Sequence, residues 1–395
     1  MPSSILRRPA MRWAVPAGVT AVVVTAAAVG PVIAGADSEL PDRTAAEILV
    51  GLAGARDVAF SGTVVQSADL GLPDLPETGA GDAGSTGATA LSLLTGSTTA
   101  RVWYSGDDSF RVALQDELAE TDIIHHDGEA WFWNSEHNVV KHATLPEGEP
   151  GPASPMPSMP SMSDAPAGAT DAMAEMALQA IAPTTNIEVD GTATVAGRDA
   201  YELVVSPKDD DSLIGSIRLA VDGEHFVPLR IQVYSSQGGD PAFEMGFTSV
   251  SFSEPDESVY EFTPPAGAEV EEIDPGERPM APHGPDEHGP DEHPGVPEGA
   301  PEPDDVSVVG DGWTSVLVAR GVDVDELTSS VDEDMMPLVE AILGEFDEVS
   351  GEYGTGRAMT NDIVSVLLLD DGRLLVGAVP IDVLEEAAMS PEAAA

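Results

Sequence analysis

Imidazole and carboxylate groups that could bind zinc are concentrated between residues 125 and 142. The set comprises His125, His126, His137, His142, Asp127, Glu129 and Glu136. Zinc accepts this combination of ligands. However, His125 and His126 are adjacent, so on a strand their side chains would point to opposite faces. We therefore expect polar groups on the solvent-facing side of a sheet rather than a metal site.

Two further groups of regularly spaced residues have side chains that could bind a metal ion. Histidines recur every five residues from His283 to His293, within tandem GPDEH repeats, and methionines recur every third residue from Met156 to Met162. Thioethers at that spacing suit Cu(I), but they also suit a loop that covers an apolar cavity. The repeats lie in a segment that would not preorganise ligands. We predict no metal and no cofactor.

Nucleophilic catalysis finds little support in the sequence. The chain has no cysteine, no G-x-S-x-G elbow and no readable Ser-His-Asp arrangement. We predict that the protein is not an enzyme.

The charge of the chain excludes another class of function. It carries 16 Lys and Arg against 70 Asp and Glu, a net charge of −54. Such a surface repels phosphate backbones, so we expect no nucleic-acid partner.

The N-terminus reads as an export signal. Arg7, Arg8 and Arg12 precede the uncharged stretch 13–36, and a positive flank followed by an apolar run keeps the N-terminus inside the cell. The run is long enough to span a bilayer, yet it ends in Ala34-Gly35-Ala36, an A-x-A cleavage pattern. Anchoring and cleavage both remain open, and in either case the acidic body is extracytoplasmic.

Composition divides the chain into four parts. We predict a signal or anchor segment at 1–36, a β-rich domain at 37–270, an acidic Pro/Gly/His linker at 271–305, and a small α+β module at 306–395. In the module we expect a helix around 337–346, and a strand at 364–369 (VSVLLL) buried on both faces.

The β-rich domain combines two helices with two runs of strands. The apolar spacing predicts helices at 42–56 and 171–181. Strand patterns cover 60–66 and 100–144, then 186–252, with a last strand at 258–262 (SVYEF). Strict alternation, as in Ile217, Leu219 and Val221, indicates a sheet with one apolar and one polar face. We expect an antiparallel meander.

An area estimate suggests a hollow. About eleven strands spaced about 4.8 Å apart make a sheet roughly 50 Å wide, whereas each helix is about 10 Å across. The sheet must then curl, leaving an apolar interior that either binds a ligand or is filled by large side chains. The predicted lipid-cavity residues are Phe60, Val64, Phe110, Val112, Leu114, Ile217, Leu219, Leu229, Ile231, Val233, Phe243, Met245 and Phe247. The predicted lid residues are Met173, Met176 and Leu178. Trp103, Trp131 and Trp133 could line the same pocket or belong to the core.

Several segments resemble a known superfamily. They are FSGTVV at 60–65, SFRVAL at 109–114, DGEAWFWN at 127–134, AGRDAYELVVSP at 196–207 and VPLRIQVY at 227–234. With the export signal and first helix, their order over 37–265 resembles LolA-like proteins. These comprise outer-membrane lipoprotein carriers, the RseB/MucB sigma-factor regulators and related actinobacterial proteins. The resemblance implies an incomplete antiparallel barrel of about eleven strands, plugged by helices, that holds acyl chains.

Two functions follow as expectations. The first is a non-enzymatic carrier or sensor that binds lipid or lipoprotein acyl chains. The second is an envelope-stress regulator that binds a membrane protein such as an anti-sigma factor or a transporter. A structural surface protein is a third alternative.

Overall fold

The computed structural model describes residues 40–71, 96–115, 119–145, 169–273, 306–322, 342–390 and 393. The predicted signal segment 1–36, the methionine run from Met156 to Met162 and the histidine repeats from His283 to His293 lie outside these residues. Within the described ranges, no helix is both long and apolar enough to cross a membrane.

Three α-helices have bounds within the described residues: α1 (Ala45–Gly54), α2 (Ala169–Ile181) and α3 (Ile381–Ala388). A capping box begins α1. Thr44 Oγ1 accepts from the backbone N–H of Glu47, and Glu47 Oε2 accepts from that of Thr44, so the first orphan N–H groups of the helix are satisfied. A 3₁₀ turn, Ala55–Asp57, follows α1, so the helix predicted at 42–56 is shorter than expected.

Twelve strands form one large sheet. They are β1 (Phe60–Ala68), β2 (Gly96–Tyr104), β3 (Ser109–Gln115), β4 (Glu120–His126), β5 (Glu129–Asn134), β6 (Val139–Thr144), β7 (Thr185–Val195), β8 (Arg198–Pro207), β9 (Ile214–Asp222), β10 (Pro228–Ser235), β11 (Phe243–Ser251) and β12 (Glu269–Ile273). Their order across the sheet is β12-β6-β5-β4-β3-β2-β1-β11-β10-β9-β8-β7. The sheet is open, with β12 and β7 at its edges.

This arrangement confirms a β-dominated fold built on antiparallel meanders. The strands β1 to β6 form one meander and β7 to β11 another, and the two join where β1 pairs with β11. Three details differ from expectation. The edge strand β12 pairs in parallel with β6, which raises the strand number to twelve and extends three residues into the linker predicted at 271–305. The alternation expected across 186–252 is broken within β7, which has an irregularity after Val189. The prediction of a strand at 258–262 is wrong, because a 3₁₀ turn lies at Glu257–Val259 instead.

The cross-strand registers define two faces of the sheet. Val233 is paired with Ile217 on β9 and with Phe243 on β11, and directly paired residues share a face. We call this the inner face, because Ile48 and Leu52 of α1 pack on the same side, against Tyr201, Leu203 and Val221. The opposite side is the outer face.

A second sheet of six strands forms the C-terminal module. Its strands are β13 (Val306–Val309), β14 (Val316–Ala319), β15 (Asp347–Gly351), β16 (Gly354–Thr360), β17 (Ser365–Leu369) and β18 (Leu374–Gly377), in the order β13-β14-β18-β17-β16-β15. Leu384 of α3 is buried in one cluster with Leu367 and Leu375. On β17, alternate residues are buried and half-buried, so the expectation of burial on both faces is wrong. Residues 342–344 are helical, and most of the helix predicted at 337–346 lies outside the described residues.

The module docks against one end of the large sheet. The backbone N–H of Leu213, just before β9, donates to Ala378 O over 2.8 Å, and that of Asp362 donates to Leu70 O, just after β1, over 3.2 Å. Trp313 and Ile363 pack against the core cluster of the large sheet. The two sheets therefore share apolar contacts as well as hydrogen bonds.

Candidate functional site

The structure brings all thirteen predicted cavity residues into one apolar cluster. Ten are buried: Phe60, Val64, Phe110, Ile217, Leu229, Ile231, Val233, Phe243, Met245 and Phe247. Three pack against the cluster and remain half-buried: Val112, Leu114 and Leu219. Contact of these residues with a lipid stays a prediction. A ligand that reaches the ten buried side chains must approach from a less covered part of the inner face.

That part lies on β3, β4 and β5. Val112 is paired with Ile123 on β4, which is paired with Phe132 on β5. All three side chains are half-buried, as is Leu114. We call Val112, Leu114, Ile123 and Phe132 the open strip. Ile123 and Phe132 were missed from the sequence, although the alternation Thr121, Ile123, His125 carries the necessary signal.

Helix α1 covers another part of the inner face, over β8 and β9. Besides its contacts with β8 and β9, α1 packs against α2. On α2, Ala174 is buried, Leu178 is half-buried and Met176 is 65% exposed; the side chain of Met173 lies outside the description. The proposed lid helix thus presents at least one methionine to solvent.

One end of the cluster is sealed by a buried phenol. Tyr104 is fully buried and stacks on Phe60 with ring centroids 5.2 Å apart. Its hydroxyl lies 2.8 Å from Arg56 O, in the turn after α1, and 3.0 Å from Asp107 Oδ1. Burial, together with the Asp107 carboxylate, raises the pKa of Tyr104 far above its usual range. The group is therefore a neutral donor that ties α1 to β2.

The C-terminal module seals the opposite end. Trp313, Ile363 and Ala378 pack against the same apolar cluster, and the indole Nε1–H of Trp313 donates to Thr185 Oγ1 over 2.8 Å. Thr185 is the first residue of β7. The least covered approach to the inner face that the structure describes is therefore the open strip.

A buried side-chain amide lies on the inner face of β1. Gln66 lies between Val64 and Ala68 in the period-two pattern of β1, which places its side chain on the inner face. It is 2% exposed, and neither side-chain Oε1 nor Nε2 has a hydrogen-bond partner among the described residues. Sequence reasoning missed Gln66, although an amide at an apolar position of the alternation is the signal that would have found it.

The outer face is held by ion pairs. The Arg111 guanidinium binds the buried Asp122 carboxylate, with Nη2 and Oδ2 2.6 Å apart. On the other meander, Glu202 accepts from Arg218 over 2.7 Å and from Arg230 over 3.4 Å. These charges are matched within the sheet, and they distinguish the outer from the inner face.

The tryptophans belong to the outer face and not to the cavity. Trp131 and Trp133 both contact the ring of Phe262, and Trp131 stacks on His142. Trp103 lies beneath the guanidinium of Arg101. Of the two alternatives, the pocket interpretation is therefore wrong.

The adjacent residues His125 and His126 point to opposite faces of the sheet, as the strand geometry predicts. His125 Nδ1 lies 3.1 Å from Asp107 O, whereas His126 Nδ1 lies 2.9 Å from Ser109 Oγ. His142 is held between two carboxylates, Glu129 and Glu272. In the part of the chain that the structure describes, no three His, Asp or Glu side chains form a group suited to a metal ion.

Comparison with known proteins returns structural neighbours only. No protein-family model matches the chain, and no curated protein sequence matches it. Among solved structures, the chain is similar to MucB in complex with MucA(peri), at 17% identity over 88% of this chain and 98% of that one, with a TM-score of 0.42. It is similar to the MucA/MucB complex of Pseudomonas aeruginosa, at 17% identity over 87% and 97%, with a TM-score of 0.41.

A LolA-superfamily protein from Nitrosomonas europaea is similar at 12% identity over 56% of this chain and 99% of that one, with a TM-score of 0.24. The neighbours thus include MucB and a LolA-superfamily protein.

Proposed function

We propose that the chain is a non-enzymatic, extracytoplasmic protein that binds an acyl chain of a lipid or lipoprotein on the inner face of its sheet, as a carrier or sensor. The observation that carries the proposal is the open strip. Four apolar side chains stay half-buried beside a cluster that includes ten buried residues of the predicted cavity, while charged groups on the outer face are paired with one another.

The driving force would be the removal of apolar surface from water. Burial contributes about 0.8 kcal/mol per methylene group, so a chain lying along the strip gains affinity with length. The strip needs no catalytic group for this role. Whether residues 13–36 anchor the protein or are cleaved near Ala36 does not change the site, and the proposed binding unit is the domain 37–270.

Native mass spectrometry of the gently purified full chain tests the proposal. We expect co-purified lipid with the natural sequence. A variant carrying Val112→Asn and Leu114→Asn should lose it, because two amides would replace apolar surface at the entrance. Thr248→Asn, an exposed change on β11, serves as the control and should retain the lipid. A natural chain free of lipid that also fails to bind added fatty acyl probes would refute the proposal.

A second candidate function rests on the C-terminal module. A cleft of about 530 Å³ opens there, lined in part by Arg320, Tyr353, Arg373 and Met389, and Met389 is 50% exposed. We infer that this cleft could receive a segment of a membrane protein, as an envelope-stress regulator requires. The docked position of the module beside the cluster would let ligand and partner influence each other.

The two functions can be separated in the full chain. Met389→Glu should abolish capture of a partner from solubilised membranes and leave lipid binding intact. Met176→Glu, on α2, should alter lipid binding and leave partner capture intact. Loss of neither property in Met389→Glu would argue against the regulatory role.

A further inference from the structure

Gln66 holds an unpartnered amide inside the apolar inner face. Its cross-strand neighbours are Met245 on β11 and Thr98 on β2. Neither amide atom forms a hydrogen bond within the described chain, although the side chain is 2% exposed. Buried amides are ordinarily paired, because a desolvated donor and acceptor without partners destabilise the fold. Such an exception in a candidate ligand site calls for a partner that the described residues do not supply.

Gln66 is within reach of a molecule on the open strip. On β2, Ala100 is paired with Val64 of β1 and with Leu114 of β3. Gln66 is therefore the diagonal neighbour of Ala100, a separation of about 7–8 Å between strands. An aliphatic chain that lies over Leu114 and Ala100 ends beside the Gln66 amide.

The hydrogen-bonding groups of the Gln66 amide restrict which terminal group of a ligand can lie beside it. Oε1 accepts and Nε2 donates, so only a group that both donates and accepts satisfies the pair. A hydroxyl does so. A carboxyl does so when protonated, and apolar surroundings favour its protonated form. An ester only accepts, which would leave Oε1 unpaired, and a hydrocarbon satisfies neither atom.

We propose that the inner face selects aliphatic chains that carry a carboxyl or hydroxyl group, and that Gln66 recognises this group. The inference rests on the proposed acyl-binding function and names the ligand class of the same site. It also sets an orientation, since the polar group of the ligand would lie on the inner face beside β1 and not at the far end of the open strip on β5.

The test compares four probes of equal chain length on the full protein: palmitic acid, hexadecanol, methyl palmitate and hexadecane. Each competes against a fluorescent alkyl probe. In the natural protein we expect the acid or the alcohol to bind in preference to the hydrocarbon. In Gln66→Leu, which keeps the volume and removes the amide, that preference should fall by about tenfold, the scale of one buried hydrogen bond. Methyl palmitate should show a smaller change.

Gln232→Leu is the matched control. Gln232 is also buried, but it lies on the outer side of β10, where its Nε2 donates to Glu244 Oε2. It should leave the probe preference unchanged and lower the melting temperature. Gln66→Leu should instead raise the melting temperature of the unliganded protein, because the amide forms no hydrogen bond with the described residues.

The outcomes separate the two claims. If the natural protein binds none of the probes, the proposed function fails. If it binds them and Gln66→Leu keeps the full preference, the role of Gln66 is overturned while the proposed function stands. A preference for the acid alone or for the alcohol alone that falls in Gln66→Leu supports the role of Gln66 and identifies which of the two groups it recognises.

Discussion

The indole N–H of Trp313 and the hydroxyl of Thr185 lie 2.8 Å apart and join the C-terminal module to the first residue of β7. Thr185 is 6% exposed, so the hydrogen bond is shielded from water. Because Trp313 also packs against the inner cluster, the same residue closes the end of the candidate site and fixes the module to it.

Removing the Thr185 hydroxyl should weaken the contact between the C-terminal module and β7. Thr185→Val keeps the shape of the side chain and leaves the indole N–H without its partner, which we expect to lower the free energy of unfolding by about 1–3 kcal/mol. Urea denaturation followed by tryptophan fluorescence measures the change. Thr194→Val, a half-exposed change on the same strand, should stay within about 0.5 kcal/mol. Equal effects of the two substitutions on the free energy of unfolding would contradict a stabilising role for the Trp313–Thr185 hydrogen bond.

Asp222 should make the fold sensitive to acid. Its buried carboxylate accepts from Arg198 and from the backbone N–H groups of Glu224 and His225. Burial alone would raise the pKa of Asp222, but these hydrogen bonds outweigh it and hold the pKa below its usual value. A lowered folded-state pKa contributes stability that is present above the unfolded-state pKa and lost as the pH falls through the folded-state pKa.

Asp222→Asn should therefore lower stability at neutral pH by about 1.5–3 kcal/mol, the range for hydrogen bonds to a charged group, and flatten the loss of stability in acid. Thermal unfolding across the acidic range measures both effects. Asp199→Asn, an exposed change on the neighbouring strand β8, is the control. If the melting temperature of Asp222→Asn falls with decreasing pH as steeply as that of the natural protein, Asp222 is not the cause of the acid sensitivity.

Two glycines of α1 should respond in opposite directions to alanine. A Cβ on Gly51 would lie 2.3 Å from the Phe226 ring, whereas one on Gly54 would meet nothing within 4 Å. Gly54 already has a helical backbone, so Gly54→Ala should stabilise the protein by about 0.5–1 kcal/mol. Gly51→Ala should destabilise it by about 1–3 kcal/mol through overpacking. Calorimetric melting of both variants checks the pair, and a gain in stability for Gly51→Ala would mean that α1 does not pack on Phe226 as described.

His142 should hold the edge strand β12 in place. Its ring contacts Glu129 on β5 and lies 2.8 Å from Glu272 on β12, and all five residues of β12 are exposed. His142→Ala should raise amide hydrogen exchange across β12 by up to about fivefold, since a partly exposed pair of this kind contributes about 1 kcal/mol or less. His126→Ala removes a ring from the outer face without touching β12 and should leave that exchange unchanged. Unaltered exchange in His142→Ala would show that backbone pairing alone holds β12.

Many strands could be predicted from the sequence because the alternation of apolar and polar residues is a local signal. The pattern of β9, β10 and β11 fixes which residues face inward, and the structure gathers Ile217, Val233 and Phe243 accordingly. The edge strand β12 escaped prediction for the opposite reason. Its sequence, EVEEI, is mostly charged, and its partner β6 lies about 130 residues earlier, so only a long-range pairing makes it a strand.

Aromatic residues misled the sequence interpretation where packing overrides pattern. SVYEF alternates like a strand, but Tyr260 stacks on His126 and Phe262 contacts Trp131. The segment thus covers the outer face through its rings instead of joining the ladder. In the candidate site, the apolar cluster followed from periodicity, whereas the open strip and the isolation of Gln66 depend on what covers each side chain, which periodicity does not report.

The charges at the two sheet edges bear on how separate molecules meet. Glu269, Glu271 and Glu272 line β12, and the exposed Glu188 and Asp190 lie on β7. Unpaired edges invite strands from other chains, and repeated like charge opposes such addition. Self-association of this protein through its edges should therefore be weakest at low ionic strength and should grow as counterions screen the glutamates.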